Sequence, residues 1–165
     1  MENDSMKIKL LVMDVDGTLT DGCIYVGPEG EAMKAFDVKD GYAIANLLPD
    51  IGVVPVIITG RKSSIVEHRA RELKITELHQ GVSDKLAELK AVAEKYGASA
   101  DEVACIGDDL NDLECMRWCS LSAAPADAVK AVYDLAAFKC THNGGRGAVR
   151  EFCEYVLSVN EKVSL

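Results

Sequence analysis

The sequence contains no CxxC pair and no paired zinc-ligand spacing. Its six cysteines therefore read as small buried apolar groups in a reducing compartment. No run approaches the roughly 20 apolar residues needed to cross a bilayer, which excludes a membrane-spanning helix. A charged-then-apolar leader is also missing: the first apolar run, 8–13, is short and ends in aspartates, so a cytoplasmic location is expected. Basic residues are in the minority, 18 Lys and Arg against 27 Asp and Glu, for a net charge of −9. A nucleic-acid surface would need a clustered basic face, so that class of partner is excluded too. An anionic small molecule stays open, because the local field of a site can oppose the global charge. There is no internal repeat, no low-complexity linker and no shift in composition. A chain of 165 residues, 48% hydrophobic, suits one folded domain, 1–165, with a single sizeable core.

Apolar runs alternate with helical patterns along the chain. Candidate strands are 8–13, 53–58, 77–79, 103–106, 120–122 and 136–139, and candidate helices are 42–48, 63–73, 85–96, 110–117, 125–132 and 148–158. Strand–helix alternation with short links predicts an α/β fold, a doubly wound, Rossmann-like parallel sheet with helices on both faces. One stretch breaks the rhythm. Residues 23–26, the turn Gly27-Pro28-Glu29-Gly30, and 31–36 read as a protruding β-hairpin. In doubly wound sheets ligands bind beyond the carboxyl ends of the strands, and the polar motifs all fall at such ends.

The first motif is Asp14-Val15-Asp16-Gly17-Thr18, directly after the strand at 8–13. Residues two apart on a strand share a face, so if Asp14 and Asp16 flank its carboxyl end, two carboxylates converge on one small volume. Like charges that close need a proton or a metal ion to offset them, and oxygen donors suit magnesium. The plainer reading is a strand ending in a solvated acidic turn. The second motif is Thr59-Gly60-Arg61 after the strand at 53–58. A hydroxyl, free backbone N–H groups and a bidentate cation suit a phosphate, and a helix N-cap would use the same Thr-Gly pair. The third is Lys85, in the first turn of a helix that Ser83 or Asp84 caps. A lysine there opposes the helix dipole, so it is either solvated or bound to an anion. The fourth is Gly107-Asp108-Asp109-Leu110-Asn111-Asp112. Its acidic residues exceed what capping needs, and Asp108 and Asp112 lie four apart, on one face of a helix.

These four strings, in this order, resemble the haloacid dehalogenase superfamily of phosphatases. The resemblance implies that Asp14 is the nucleophile, forming an aspartyl-phosphate. It makes Asp16 the general acid and then the base. Mg2+ is then held by the Asp14 carboxylate, the Asp16 carbonyl and Asp108. Thr59, the Gly60 backbone and Lys85 bind the phosphoryl oxygens, while Asp109 and Asp112 orient the lysine and the metal's water molecules. A receiver domain uses similar residue types, but it carries its acidic pair on the first strand and its acceptor on a middle one. Here the order is different.

Between the motifs there is no room for a cap domain, so a neighbouring subunit is expected to close the site. The hairpin followed by Phe36-Asp37-Val38-Lys39-Asp40-Gly41, the stretches 57–73 and 79–86, and Gly144-Gly145-Arg146-Gly147 resemble the capless 3-deoxy-D-manno-octulosonate 8-phosphate phosphatases. That resemblance implies a small-molecule sugar phosphate substrate and a homotetramer. In it the hairpins meet at the centre and a Gly-rich C-terminal tail reaches a neighbouring active site. Asp37, Val38, Lys39, Asp40, Gly41, Arg61 and Arg69 would contact the sugar acid, with Arg146 closing from the tail. Read alone, the glycine run is either a close approach to a ligand or a lead-in to the last helix, and Arg69 is equally a surface ion pair. Phosphatases of nine-carbon sugar acid 9-phosphates are similar. So are domains fused behind cytidylyltransferases that activate sialic acid, whose animal versions have lost catalytic aspartates and would leave a non-catalytic tetramerisation module; here Asp14, Asp16, Lys85 and Asp108 are all present.

Overall fold

The computed structural model describes residues 7–163. In chain order the elements are β1 (Leu10–Met13), the hairpin β2 (Tyr25–Gly27) and β3 (Gly30–Met33), then α1 (Val38–Tyr42), a π-helical turn (Ala43–Leu47) and α2 (Leu48–Asp50). There follow β4 (Val54–Ile58), α3 (Ser64–Glu72), β5 (Glu77–His79), α4 (Lys85–Lys95), β6 (Val103–Ile106), α5 (Leu113–Trp118), β7 (Leu121–Ala124), α6 (Lys130–Leu135), β8 (Phe138–Lys139) and α7 (Ala148–Val163). Six strands form one parallel sheet in the order β5-β4-β1-β6-β7-β8. β1 lies between β4 and β6, where the winding direction reverses, so the sheet opens a crevice at the end of β1. The expected doubly wound sheet is what forms.

Every residue of β1 is buried, as a parallel strand covered on both faces requires. Leu11 and Met13 pack with Ile44, Val66 and Phe152, beneath the α1–α2 segment, α3 and α7. Leu10 and Val12 pack with Leu89, Met116 and Val132, from α4, α5 and α6. Between β1 and β4 stand only the hairpin and the α1–α2 segment, and between β5 and β6 only α4 and a short 3-10 turn, Ala100–Glu102, so neither insertion builds a cap. No helix among the described residues is long and apolar enough to cross a membrane. All six cysteines are free thiols, and only Cys23 is exposed.

Three predicted elements shift, each for a local reason. The helix expected over 42–48 starts four residues earlier, because Asp37 accepts a hydrogen bond from the Lys39 N–H and caps it. It widens into a π turn before Pro49, which has no N–H to donate and would crowd the carbonyl four residues back. The helix expected over 125–132 forms only at Lys130–Leu135. The residues before it turn instead, and Val129 N–H donates to the Asp108 carbonyl at 2.9 Å. The helix expected over 110–117 opens as a 3-10 turn, Leu110–Asp112, because Asp109 and Asp112 satisfy each other's backbone N–H groups.

The start of β1 is tied to the last helix. Buried Asn160 accepts from Ile8 N–H at 2.9 Å and donates to Ile8 O at 3.0 Å. Replacing it with Ala strands two buried backbone groups. Asn160→Ala is expected to cost about 1–3 kcal/mol, read as a lower midpoint in urea unfolding with an unchanged slope.

Candidate active site

β1 delivers its chain into a tight turn. Asp14 N–H donates to the Ile106 carbonyl at 3.3 Å, continuing the β1–β6 ladder by one rung, and Thr18, Leu19 and Thr20 N–H all close back on Val15 O. Gly17 has φ +91°, and a Cβ there would lie 1.9 Å from Asp108 Oδ2. Only glycine lets the Asp108 carboxylate approach the turn this closely. From the other side Gly144 presses on the same turn, and a Cβ there would lie 1.9 Å from the Gly17 carbonyl.

Oxygens of Asp14, Asp108 and Asp112 lie within 4.8 Å of one another. Lys85 reaches into this group from the first turn of α4, with Nζ 3.0 Å from Asp14 Oδ1 and 2.8 Å from Asp112 Oδ1. Its place against the helix dipole is thus explained by two carboxylates. Asp112 is fully engaged: its second oxygen accepts from Asp108 N–H at 3.0 Å and Asp109 N–H at 3.2 Å. Asp112 is therefore built to hold the lysine and the Asp108 backbone. Asp109 does not share that work; it is exposed, and its side chain accepts from Leu110 N–H. Thr18 Oγ1 lies 3.4 Å from Asp108 Oδ1.

The charges do not balance. Three carboxylates share one lysine, and burial with its neighbours Asp14 and Asp112 pushes Asp108 up to about 8. Burial and Asp112 likewise raise Asp14, against the pull of Lys85. Burial alone would lower Lys85, but Asp14 and Asp112 hold it above its ordinary value. A hard divalent cation is the group such an oxygen-rich, over-negative cluster fits. Asp14 and Asp108 keep oxygens available for it.

Asp16 does not turn toward Asp14's partners. Its Oδ1 meets Lys34 Nζ at 2.5 Å, and its Oδ2 lies 3.9 Å from Arg61 Nε. The two aspartates of the first motif are thereby drawn to separate cations. Lys34, just after β3, is a site residue that sequence reasoning missed; nothing in its surroundings along the chain separates it from a solvated lysine. Its side chain is 1% exposed and also meets Glu31 Oε2 at 3.0 Å. Glu31 in turn accepts from the Ser63 hydroxyl at the N-cap of α3. Thr59 is buried at the end of β4, its N–H donating to His79 O and its carbonyl accepting from Val82 N–H. Gly60 is exposed beside it, and Arg61 is half exposed.

The residues expected to meet a sugar acid divide. Asp37 caps α1 and pairs with Lys39, while Val38 is 80% exposed. Asp40 faces inward, not toward solvent. It is 2% exposed, accepts from Arg150 N–H at 2.9 Å, and burial raises it to about 6 despite that bond. It fixes the start of α7 to α1. Gly41 gives room to Arg69, whose guanidinium would touch a Cβ there at 2.4 Å. Arg69 lies over the Phe36 ring and its Nη1 pairs with Glu72 at 3.2 Å. Val15, Leu19, Phe36, Asp37 and Arg69 line a narrow pocket beside the turn. Arg146 is largely exposed, 3.9 Å from Asp21 of its own chain. The glycine run is neither a loose lead-in nor a free tail. Gly145 N–H donates to Thr18 O at 3.0 Å, and Gly144 N–H to Asp127.

The chain is similar to proteins of known class. The haloacid dehalogenase-like hydrolase family model matches residues 72–152. The 3-deoxy-D-manno-octulosonate 8-phosphate phosphatase of Yersinia pestis is 45% identical over 157 residues, 94% of this chain and 83% of that one. A crystal structure of the Moraxella catarrhalis 3-deoxy-D-manno-octulosonate 8-phosphate phosphatase, in complex with magnesium, phosphate and KDO, superposes with a TM-score of 0.89. It is 39% identical, over 95% of this chain and 90% of that one. The cobalt-bound Haemophilus influenzae deoxy-D-mannose-octulosonate 8-phosphate phosphatase gives 0.90 at 35% identity, over 96% and 92%.

The charge imbalance sets a pH dependence. Asp108 is raised from an ordinary 3.8 to about 8, so the folded state holds a proton there that the unfolded chain releases. The stability this contributes is full below pH 3.8 and is lost as pH rises toward 8. Magnesium competes with that proton. Adding Mg2+ is expected to raise Tm more at about pH 8.5 than at about pH 6, and Asp108→Ala is expected to remove the increment.

Proposed function

The chain belongs to the 3-deoxy-D-manno-octulosonate 8-phosphate phosphatase family of the haloacid dehalogenase-like hydrolases, and from that premise we propose that it hydrolyses this eight-carbon sugar acid phosphate through an aspartyl-phosphate. The observation that carries the proposal is the convergence of Asp14, Asp108, Asp112 and Lys85 at the end of β1. Asp14 attacks phosphorus in line as the bond to the sugar oxygen breaks, and Asp16 gives its proton to that oxygen. The Asp16 carboxylate then takes a proton from a water molecule, whose oxygen attacks phosphorus, releases phosphate and restores Asp14. Thr59, the Gly60 N–H and Lys85 bind the phosphoryl oxygens. The Asp14 carboxylate, the Asp16 carbonyl and Asp108 would hold Mg2+, which offsets the repulsion between the attacking carboxylate and the phosphoryl group when bound. Asp112 keeps Lys85 in place. Arg61, half exposed beside Asp16, offers a planar donor for the sugar's carboxylate, and Arg146 adds a second cation from the glycine run.

The capless site is closed by neighbouring subunits of a homotetramer. Ile24, Tyr25, Val26 and Met33 stand exposed on the hairpin, an apolar patch that a central contact between hairpins would cover. A cytoplasmic location belongs to the same reading, and the free thiols support it.

Asp14→Asn is expected to bring magnesium-dependent phosphate release to background while Tm stays level or rises, since the substitution relieves a buried like-charge contact. Turnover at the wild-type rate would dismiss Asp14 as nucleophile. A panel of sugar acid phosphates should rank the eight-carbon 8-phosphate above nine-carbon 9-phosphates in kcat/KM. Val26→Lys with Met33→Lys is expected to reduce the mass measured by light scattering and to lower activity with it.

A further inference from the structure

The hairpin does something within its own subunit that its place in the sequence gives no sign of. We propose that Lys34 is a positioning residue for the proton-transferring carboxyl of Asp16, and that Glu31 and Ser63 fix Lys34 in that role. The inference rests on the phosphatase reading and deepens it.

Four observations carry it. The Lys34 side chain is 1% exposed, although it lies on a hairpin with exposed flanking side chains, so its stem is covered and its ammonium has little freedom. The ammonium meets two carboxylates, Asp16 Oδ1 at 2.5 Å and Glu31 Oε2 at 3.0 Å. Glu31 is itself anchored, since its other oxygen accepts from the hydroxyl of Ser63, which caps α3 and whose N–H donates to Gln80. Arg61, from the loop after β4, stands 3.8 Å from Glu31 and 3.9 Å from Asp16. The chain of contacts thus runs from the turn after β1, through β3, to the start of α3. A buried ammonium tied down on one side is a rigid fixture. It selects one rotamer of Asp16 and leaves Oδ2 as the oxygen free of a close partner. Asp14 has no part in this chain; Lys85 and Asp112 hold it separately.

A residue that only positions the acid matters in proportion to how much the leaving group needs a proton. A sugar alkoxide is a poor leaving group and must be protonated as the bond to phosphorus breaks, whereas nitrophenolate or acetate departs as the anion. The two classes of ester share the attack by Asp14 and the phosphoryl-binding groups, and differ in the Asp16 step.

The test compares wild type with Lys34→Met, which keeps the stem, and Lys34→Arg, which keeps the charge. Substrates are the sugar acid 8-phosphate and whichever of 4-nitrophenyl phosphate and acetyl phosphate the wild type turns over. Lys34→Met is expected to lower kcat on the sugar phosphate about 10²-fold with little change in KM, and to lower turnover of the activated ester at most about threefold. Lys34→Arg is expected to recover part of the loss on the sugar phosphate. Glu31→Gln, which leaves Lys34 in place but loosens it, is expected to show the same selectivity more weakly, and it decides the matter if Lys34→Met does not fold. Equal losses on both substrates, a loss confined to KM, or no loss would overturn the proposal. Failure of the wild type to release phosphate from any of these esters with magnesium would instead overturn the phosphatase reading.

Discussion

Lys85 sits between Asp14 and Asp112 with neither oxygen more than 3.0 Å away, and the rest of the site is arranged around the charge this one cation leaves uncancelled. Asp108 completes a group of three carboxylates. Bringing them together is unfavourable in a buried place, as the upward displacement of both Asp14 and Asp108 records. The fold stabilises the arrangement elsewhere, with fully buried strands on both faces of the sheet, and keeps the unfavourable charge where a cation and a phosphoryl group can use it. Such a cluster is costly as packing and effective as chemistry.

Backbone makes the approach possible. The turn after β1 has no side chain at Gly17 where Asp108 comes close, and none at Gly144 where the segment before α7 presses on the Gly17 carbonyl. Two loops more than a hundred residues apart therefore meet through main chain. The turn is clamped between the β6 loop and the lead into α7, and Asp40 holds that lead from beneath by accepting from Arg150 N–H. Asp40, a candidate sugar contact by sequence, is part of this clamp.

The doubly wound parallel sheet and the motif positions were legible because each rests on local chemistry. Short apolar runs alternating with helical patterns suit buried parallel strands, and the acidic residues at 108–112 exceed any capping need. Thr59, Lys85 and Asp108 follow from that logic, and the strands at 77–79 and 103–106 form as read. What could not be read depends on distance through space. Lys34 looks like any hairpin lysine until β3 folds back over Asp16. Asp109 and Asp112 look interchangeable until the 3-10 turn points one to solvent and the other to Lys85. Arg69 has the chemistry of an anion ligand, and only the fold sets its guanidinium over Phe36 and beside Glu72. The helix starts at Val38, before the apolar pattern at 42–48 shows it, because the Asp37 side chain caps it.

Asn160 holds both backbone groups of Ile8 across a separation of 152 residues, and β1 needs β4 on one side and β6 on the other. The strand that carries Asp14 therefore takes closing contacts from a helix far along the chain. Until α7 is made, its apolar residues have no complete home. Such long-range closure slows folding, and during synthesis it leaves an apolar strand incompletely covered until α7 emerges.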